Sequence, residues 1–165
     1  MTQFEFRKAA REDIPKLTDF FRETIVDVYG HILSREKLEP WIDGDMMSRE
    51  VNNLWQNMIV AEQAGEVMGV AARADDMIQL LWIHPAHQRK GIGSVLLDLV
   101  ETEIQKSGCD QAKMMCFSDN DLAMEFYRAR GWKPLCEEMS EELGVRVTVM
   151  TKALMKESGD APIRK

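Results

Sequence analysis

Gln88-Arg89-Lys90-Gly91-Ile92-Gly93 decides the fold by virtue of what flanks it. Upstream, Leu81-Trp82-Ile83-His84-Pro85 reads as the end of an apolar strand. Downstream, Val95, Leu96, Leu99, Val100 and Ile104 recur at helical spacing, predicting an amphipathic helix that stops at Ser107-Gly108. Glycines at such a strand-to-helix turn let the backbone approach a ligand closely. The first-turn amides point outward without helical partners, and the helix dipole favours an anion. Arg89 and Lys90 add positive charge at the same place. The combination suits a pyrophosphate, although the same letters also fit a tight turn that binds nothing. Two other phosphate loops are excluded. A dinucleotide fingerprint wants a small residue where Leu96 stands, and a Walker loop needs Gly-Lys followed by Ser or Thr, which is absent.

Working outward, residues 58–62, 67–73 and 77–83 are short apolar segments separated by Gln63-Ala64-Gly65-Glu66 and Ala74-Asp75-Asp76. That is the punctuation of an antiparallel meander. Before it, Phe4 and Phe6 mark a short strand, and Arg11-Glu12-Asp13 offers a cap for a helix carrying Ile14, Leu17, Phe21, Ile25 and Val28. A second helical stretch over residues 34–57 is broken around Asp43-Gly44-Asp45. After the central helix the pattern predicts a strand at 112–117, a helix at 120–130 ended by Gly131, and closing strands at 132–136 and 145–151. In the last of these, Val145, Val147 and Val149 alternate with Arg146, Thr148 and Met150.

The 165 residues, 45% hydrophobic against 30% charged, suit one hydrophobic core and exclude global disorder. A net charge of -7 argues against a protein that coats nucleic acid or an anionic membrane, so any anionic ligand must meet a local basic patch. Cys109, Cys116 and Cys136 form no CxxC pair, which disfavours a disulfide scaffold or thiolate zinc site and fits a reducing cytoplasm. No apolar run is long enough to span a bilayer, and the N-terminus lacks a signal-peptide core. The 12 methionines read as gap-filling core.

The loop resembles the hallmark Q/R-x-x-G-x-G/A of the GNAT superfamily of acyl-CoA-dependent N-acetyltransferases, with Gln88, Gly91 and Gly93 in the defining places. The resemblance continues upstream through 81–85 and downstream through Asn120, Ala123, Phe126, Tyr127, Gly131 and Trp132, covering about residues 58–151. It implies an α/β (α+β) fold: a mostly antiparallel, mixed twisted sheet flanked by helices and splayed at its centre to hold acetyl-CoA. One domain is expected over residues 1–155, with a flexible tail at 156–165. It further implies that the backbone of Gln88, Arg89, Lys90, Gly91, Ile92, Gly93 and Ser94 holds the pyrophosphate. Trp82 and Ile83 would offer main-chain groups to the pantetheine and acetyl carbonyl, Asn120 a polar contact to the CoA arm, and Tyr127 the proton for the departing thiolate. A phenol with a pKa near 10 is a competent donor to a thiolate whose thiol lies near 8.5. A helix aromatic packed on the sheet is the alternative for Tyr127.

The general base is where the pattern departs: the family's strand glutamate is replaced by Met77. A water relayed to Asp75, Asp76, Glu36 or a carboxylate of the 137–142 segment would serve, as would an amine of low pKa needing no base. His84 fits a loop histidine before Pro85 better than a base, and His84 and His87 lack zinc-ligand spacing, so no metal is expected. Glu36, Glu39, Asp43 and Asp45, with Glu137, Glu138, Glu141 and Glu142, fit either a solvated acidic surface or a groove for a cationic amine. Trp41, Trp55 and Tyr29 fit core packing or the wall of that groove. The expected reaction is acetyl transfer to the primary amine of a small molecule. A protein lysine or N-terminal acetyltransferase and a non-catalytic acyl-CoA-binding module are the alternatives, and a homodimer is left open.

Overall fold

The structure, a computed structural model, describes residues 4–154. The strands are β1 (Glu5–Lys8), β2 (Met58–Gln63), β3 (Glu66–Ala74), β4 (Met77–Ile83), β5 (Gln111–Phe117), β6 (Lys133–Met139) and β7 (Arg146–Ala153). The helices are α1 (Ile14–Tyr29), α2 (Arg35–Ile42), α3 (Met46–Leu54), α4 (Ile92–Lys106) and α5 (Asp121–Arg128). The strand order is β1-β2-β3-β4-β5-β7-β6, with β4 and β5 parallel and β1-β2, β2-β3, β5-β7 and β7-β6 antiparallel. This is the mixed, mostly antiparallel α/β architecture expected from sequence. The described chain divides into two units, 4–73 with 80–100 and 74–79 with 101–154. The tail expected at 156–165 lies outside the described residues.

In the first unit, α1 buries Leu17, Phe20, Phe21 and Ile25, a wider stripe than the spacing of Leu17, Phe21 and Ile25 alone implied. The anticipated cap at Asp13 works differently. Its carboxylate accepts from Arg7 at 2.7 and 2.9 Å and from the Ala10 N–H at 2.7 Å, and makes no forward cap to α1. Arg7 also donates to Glu62 at 2.9 and 3.1 Å, so one guanidinium fork joins β1, β2 and the turn before α1. Residues 43–45 separate α2 from α3, as the sequence predicted. Between β2 and β3, Ala64 (φ +51°) and Gly65 (φ +82°) form a two-residue turn with both positions left-handed, the geometry that hairpin twist favours. On β3, Gly69 lies under α4: a Cβ there would stand 2.8 Å from Ile83 Cδ1, 3.0 Å from Leu96 Cδ1 and 3.2 Å from Ile92 Cγ2. The missing side chain lets the first turns of α4 sit close to the sheet, which fixes where the preceding loop emerges.

In the second unit, Met77 and Ile78 of β4 pair in parallel with Lys113 and Met114 of β5. The alternation expected of β7 gives way to burial of Val147, Thr148, Val149 and Met150 in succession, as for a strand covered on both faces. β6 runs longer than predicted and is exposed throughout, an edge strand carrying Pro134, Glu137 and Glu138. The methionines divide: Met47, Met58, Met68, Met114, Met124 and Met150 are core, whereas Met115 and Met139 are exposed.

Candidate active site

Chain direction changes sharply after Ile83. The His84 N–H donates to the Met68 carbonyl of β3 at 2.9 Å, and Pro85–His87 forms a 3-10 turn whose Ala86 N–H is accepted by His84 Nδ1 at 3.1 Å. Arg89 (φ +66°) and Gly91 (φ +83°) then carry the backbone through the left-handed region into α4. Around Gly91 there is nothing within 4 Å of the place a Cβ would occupy. Ile92 is buried beside Gly69, and the Val95 N–H donates to the Gly91 carbonyl at 3.3 Å. The first-turn amides of α4 therefore lie at a helix start, where the helix supplies no carbonyls of its own, with the helix dipole behind them. Gln88, Arg89 and Lys90 are exposed, and Gly93 and Ser94 half-buried. This geometry fits an anion held by main-chain groups.

The histidines belong to the loop's framework. His84 Nδ1 accepts from Ala86, placing the ring proton on Nε2, which faces Glu23 at 3.4 Å. His87 Nδ1 lies 3.2 Å from Lys90 Nζ and its Nε2 3.5 Å from Glu66. Both nitrogens of each ring are engaged, which favours the structural reading of His84 over a general base. Trp82 packs edge to face with Phe21 at 5.1 Å and Tyr29 at 5.4 Å, so its side chain is committed to α1. Trp41 and Trp55 are half-buried. Glu36, Glu39, Pro40, Asp43 and Gly44 line an open concavity of about 500 Å³.

The remaining expected residues stand in the second unit. Asn120 caps α5, its Oδ1 accepting the Ala123 N–H at 3.2 Å. Half-buried Tyr127 occupies the last turn of α5, edge to face with Phe126 at 5.2 Å and Trp132 at 6.2 Å. Met77 is half-buried in β4, and the Asp76 carbonyl accepts the Lys113 N–H at 2.8 Å. Glu137 faces Arg146 at 3.5 Å, and Glu138, Glu141 and Glu142 are exposed. Trp82, Ile83 and residues 88–94 are thus gathered in one unit, and Asn120 and Tyr127 in the other. Sequence reasoning passed over Glu101, a buried carboxylate bonded to Trp132 and Lys152. Its signal was an acidic residue in phase with the apolar stripe of Leu97, Val100 and Ile104. Among the described residues, no group of three or more His, Cys, Asp or Glu side chains is placed to hold a metal.

The GNAT acetyltransferase domain matches residues 19–154. This chain belongs to the GNAT acetyltransferase family. It is 28% identical over 125 residues to the acetyltransferase SG1711 of Sodalis glossinidius, an alignment covering 73% of this chain and 82% of that protein. Its fold is similar to that of the PaiA N-acetyltransferase of Thermoplasma acidophilum solved with coenzyme A, at a TM-score of 0.75 and 23% identity over 92% of this chain and 99% of that one. The YncA protein of Salmonella typhimurium, solved with its cofactor acetyl-CoA, gives a TM-score of 0.68 at 18% identity, covering 98% and 99%. The resemblance first carried by Gln88, Gly91 and Gly93 therefore holds over most of the chain. The protein is a GNAT N-acetyltransferase, dependent on acetyl-CoA. No helix among the described residues is long and apolar enough to cross a membrane.

Proposed function

We propose that this GNAT domain, spanning residues 1–155, transfers acetyl directly from acetyl-CoA to the primary amine of a small cationic molecule. The observation that carries the reading is the left-handed turn at Arg89 and Gly91, open where a Cβ would stand and opening into α4. Main-chain amides of residues 88–94 hold the pyrophosphate, with Arg89 and Lys90 supplying positive charge in an acidic protein. The coenzyme A bound by the Thermoplasma protein supports that assignment by analogy of fold.

Main-chain groups of Trp82 and Ile83 orient the pantetheine and polarise the acetyl carbonyl. Asn120 uses its oxygen in the α5 cap, so its contact with the CoA arm falls to Nδ2. The amine nitrogen attacks the carbonyl carbon, the tetrahedral adduct expels the thiolate, and the Tyr127 hydroxyl protonates the sulfur, the tyrosinate then regaining a proton from solvent. The ammonium proton leaves to water, because Met77 occupies the place of a strand carboxylate. The acidic concavity of Glu36, Glu39 and Asp43 favours a cationic acceptor.

The test is thiol release from acetyl-CoA in the presence of polyamines, amino acids, aminoglycosides and peptides. Turnover with small cationic amines supports the reading. Reaction confined to peptides would transfer the activity to a protein acceptor, and reaction only with longer acyl-CoAs would displace the acetyl donor.

A further inference from the structure

Tyr127 lies in the last turn of an eight-residue helix, where a side chain that must deliver a proton is least well held by the helix itself. The chain compensates just beyond it. Gly131 takes φ +91°, and two main-chain bonds close the helix end in a Schellman pattern. The Trp132 N–H donates to the Tyr127 carbonyl at 3.1 Å and the Gly131 N–H to the Arg128 carbonyl at 3.1 Å. Such a turn commonly carries a contact between the residue after the glycine and the one whose carbonyl it binds. Here that pair is Trp132 against Tyr127, ring centroids 6.2 Å apart and inclined at 67°.

Trp132 is itself fixed. Its side chain is 1% exposed, so the indole N–H needs an internal acceptor, and Glu101 Oε2 provides one at 3.0 Å. The other carboxylate oxygen, Oε1, accepts from Lys152 Nζ at 2.8 Å. The side chain of Lys152 also lies against Gly131, its Cε 3.4 Å from where a Cβ would stand. Trp132 therefore meets Tyr127 at both its carbonyl and its ring, which also packs on Phe126, and the tryptophan is tied to a buried carboxylate.

We propose that Trp132, anchored through its indole N–H on Glu101, is the positioning residue that holds the Tyr127 phenol in its proton-donating orientation. The proposal rests on the acid role given to Tyr127 above. Packing alone asks only for an apolar ring at position 132, whereas positioning requires the N–H anchor. Trp132→Phe removes the anchor and keeps a ring; Glu101→Gln keeps the indole but presents one oxygen where the carboxylate presents two, and with that oxygen turned to the Lys152 ammonium the amide NH2, itself a donor, faces the indole N–H.

The experiment is steady-state kinetics of both variants in the wild-type and the Tyr127→Phe backgrounds, on protein whose circular dichroism spectrum is native. In the wild-type background each variant should lower kcat roughly 10- to 100-fold with KM for acetyl-CoA little changed, as for loss of orientation at the reacting atom. In the Tyr127→Phe background neither should lower kcat further. If Trp132→Phe does not fold, Glu101→Gln decides alone. Wild-type kcat in the variants overturns the positioning role, as does an equal fall in both backgrounds, the mark of a general structural defect. A kcat untouched by Tyr127→Phe overturns the acid role itself, and the positioning role with it.

Discussion

Gly91 and Gly131 hold nearly the same backbone angle, φ +83° and +91°, one just before α4 and the other just after α5, in opposite surroundings. Around Gly91 nothing stands within 4 Å of a Cβ position, whereas at Gly131 the side chain of Lys152 begins at 3.4 Å. At a helix start the left-handed turn leads into first-turn amides that the helix does not itself use, and the proposed site there is built from the main chain. At a helix end the same turn folds the amides back onto carbonyls of its own helix, and the group proposed to act there is a side chain, Tyr127. One conformation thus builds two kinds of site. On the proposed assignment the first depends on φ and on the cations beside it, and the second on one hydroxyl.

Tyr127→Phe, which removes that hydroxyl and leaves the ring, is expected to lower kcat roughly 10²- to 10⁴-fold with acetyl-CoA affinity nearly intact. Steady-state kinetics with calorimetric titration of acetyl-CoA measures both, and an unchanged kcat would remove the side chain from the reaction. Gly91→Val attacks the other end. A β-branched residue at φ +83° strains the backbone by about 1–2 kcal/mol or more, and relief comes only by turning the amides away. Acetyl-CoA should then bind roughly 10- to 100-fold more weakly, since a single charge-assisted N–H bond to a phosphate oxygen contributes about 1.5–3 kcal/mol. Gly131→Ala, by contrast, should lower stability and kcat but leave that affinity alone. Weakened acetyl-CoA binding in Gly131→Ala would break the division between the two helix ends.

Neither site should respond to the ion group that ties β1 and β2 to the turn before α1. The Arg7 guanidinium, aided by the Ala10 N–H and opposed by burial, holds the Asp13 carboxyl at about 2, and Arg7 lowers Glu62 as well. A carboxyl held below its unfolded value binds its proton more weakly when folded. Its contribution, about 2 kcal/mol for Asp13, is complete above roughly pH 4 and is lost as pH falls from there through about 2. Asp13→Asn should therefore lower the urea midpoint at neutral pH and flatten its fall between pH 4 and 2, with acetyl-CoA affinity at pH 7 unchanged. An acid limb as steep in Asp13→Asn as in the wild type would place the linkage elsewhere.

Much of this was legible in the sequence because it is local. Gln88, Gly91 and Gly93 announced the loop, and Gln63-Ala64-Gly65-Glu66 announced the hairpin, since turn chemistry is written in adjacent residues. Periodicity placed α1 and α4 well. What escaped depends on partners far along the chain. Asp13 looked like a cap, but Arg7, already pinned by Glu62, draws its carboxylate backward. Glu101 looked like one acidic residue of a soluble helix, and its partners are Trp132 and Lys152. The alternation along β7 failed because both its faces are covered, a property of the neighbours and not of the strand. At the site, Met77 showed that a carboxylate is missing from its usual strand, and no pattern in the sequence says where the amine's proton goes instead.

The smallest effect tests whether strain marks function. Ala64 and Arg89 are both non-glycine residues in the left-handed region, at φ +51° and +66°, and both belong to the first unit. An L side chain there costs about 1–2 kcal/mol, which glycine avoids at some loss through unfolded-state entropy. Ala64→Gly and Arg89→Gly should then each stabilise the protein by roughly 0.5–1 kcal/mol in urea unfolding. Their effects on acetyl-CoA should part company. At position 64 the turn only joins β2 to β3, and KM should not move. At position 89 the guanidinium is one of two cations beside the amides, and its loss should raise KM for acetyl-CoA about 3- to 10-fold. Strain at Ala64 is then incidental to a hairpin, and strain at Arg89 is kept because the side chain it carries meets the pyrophosphate. Equal behaviour of the two variants would mean that Arg89 is only a turn residue, leaving the phosphate to the main chain and Lys90.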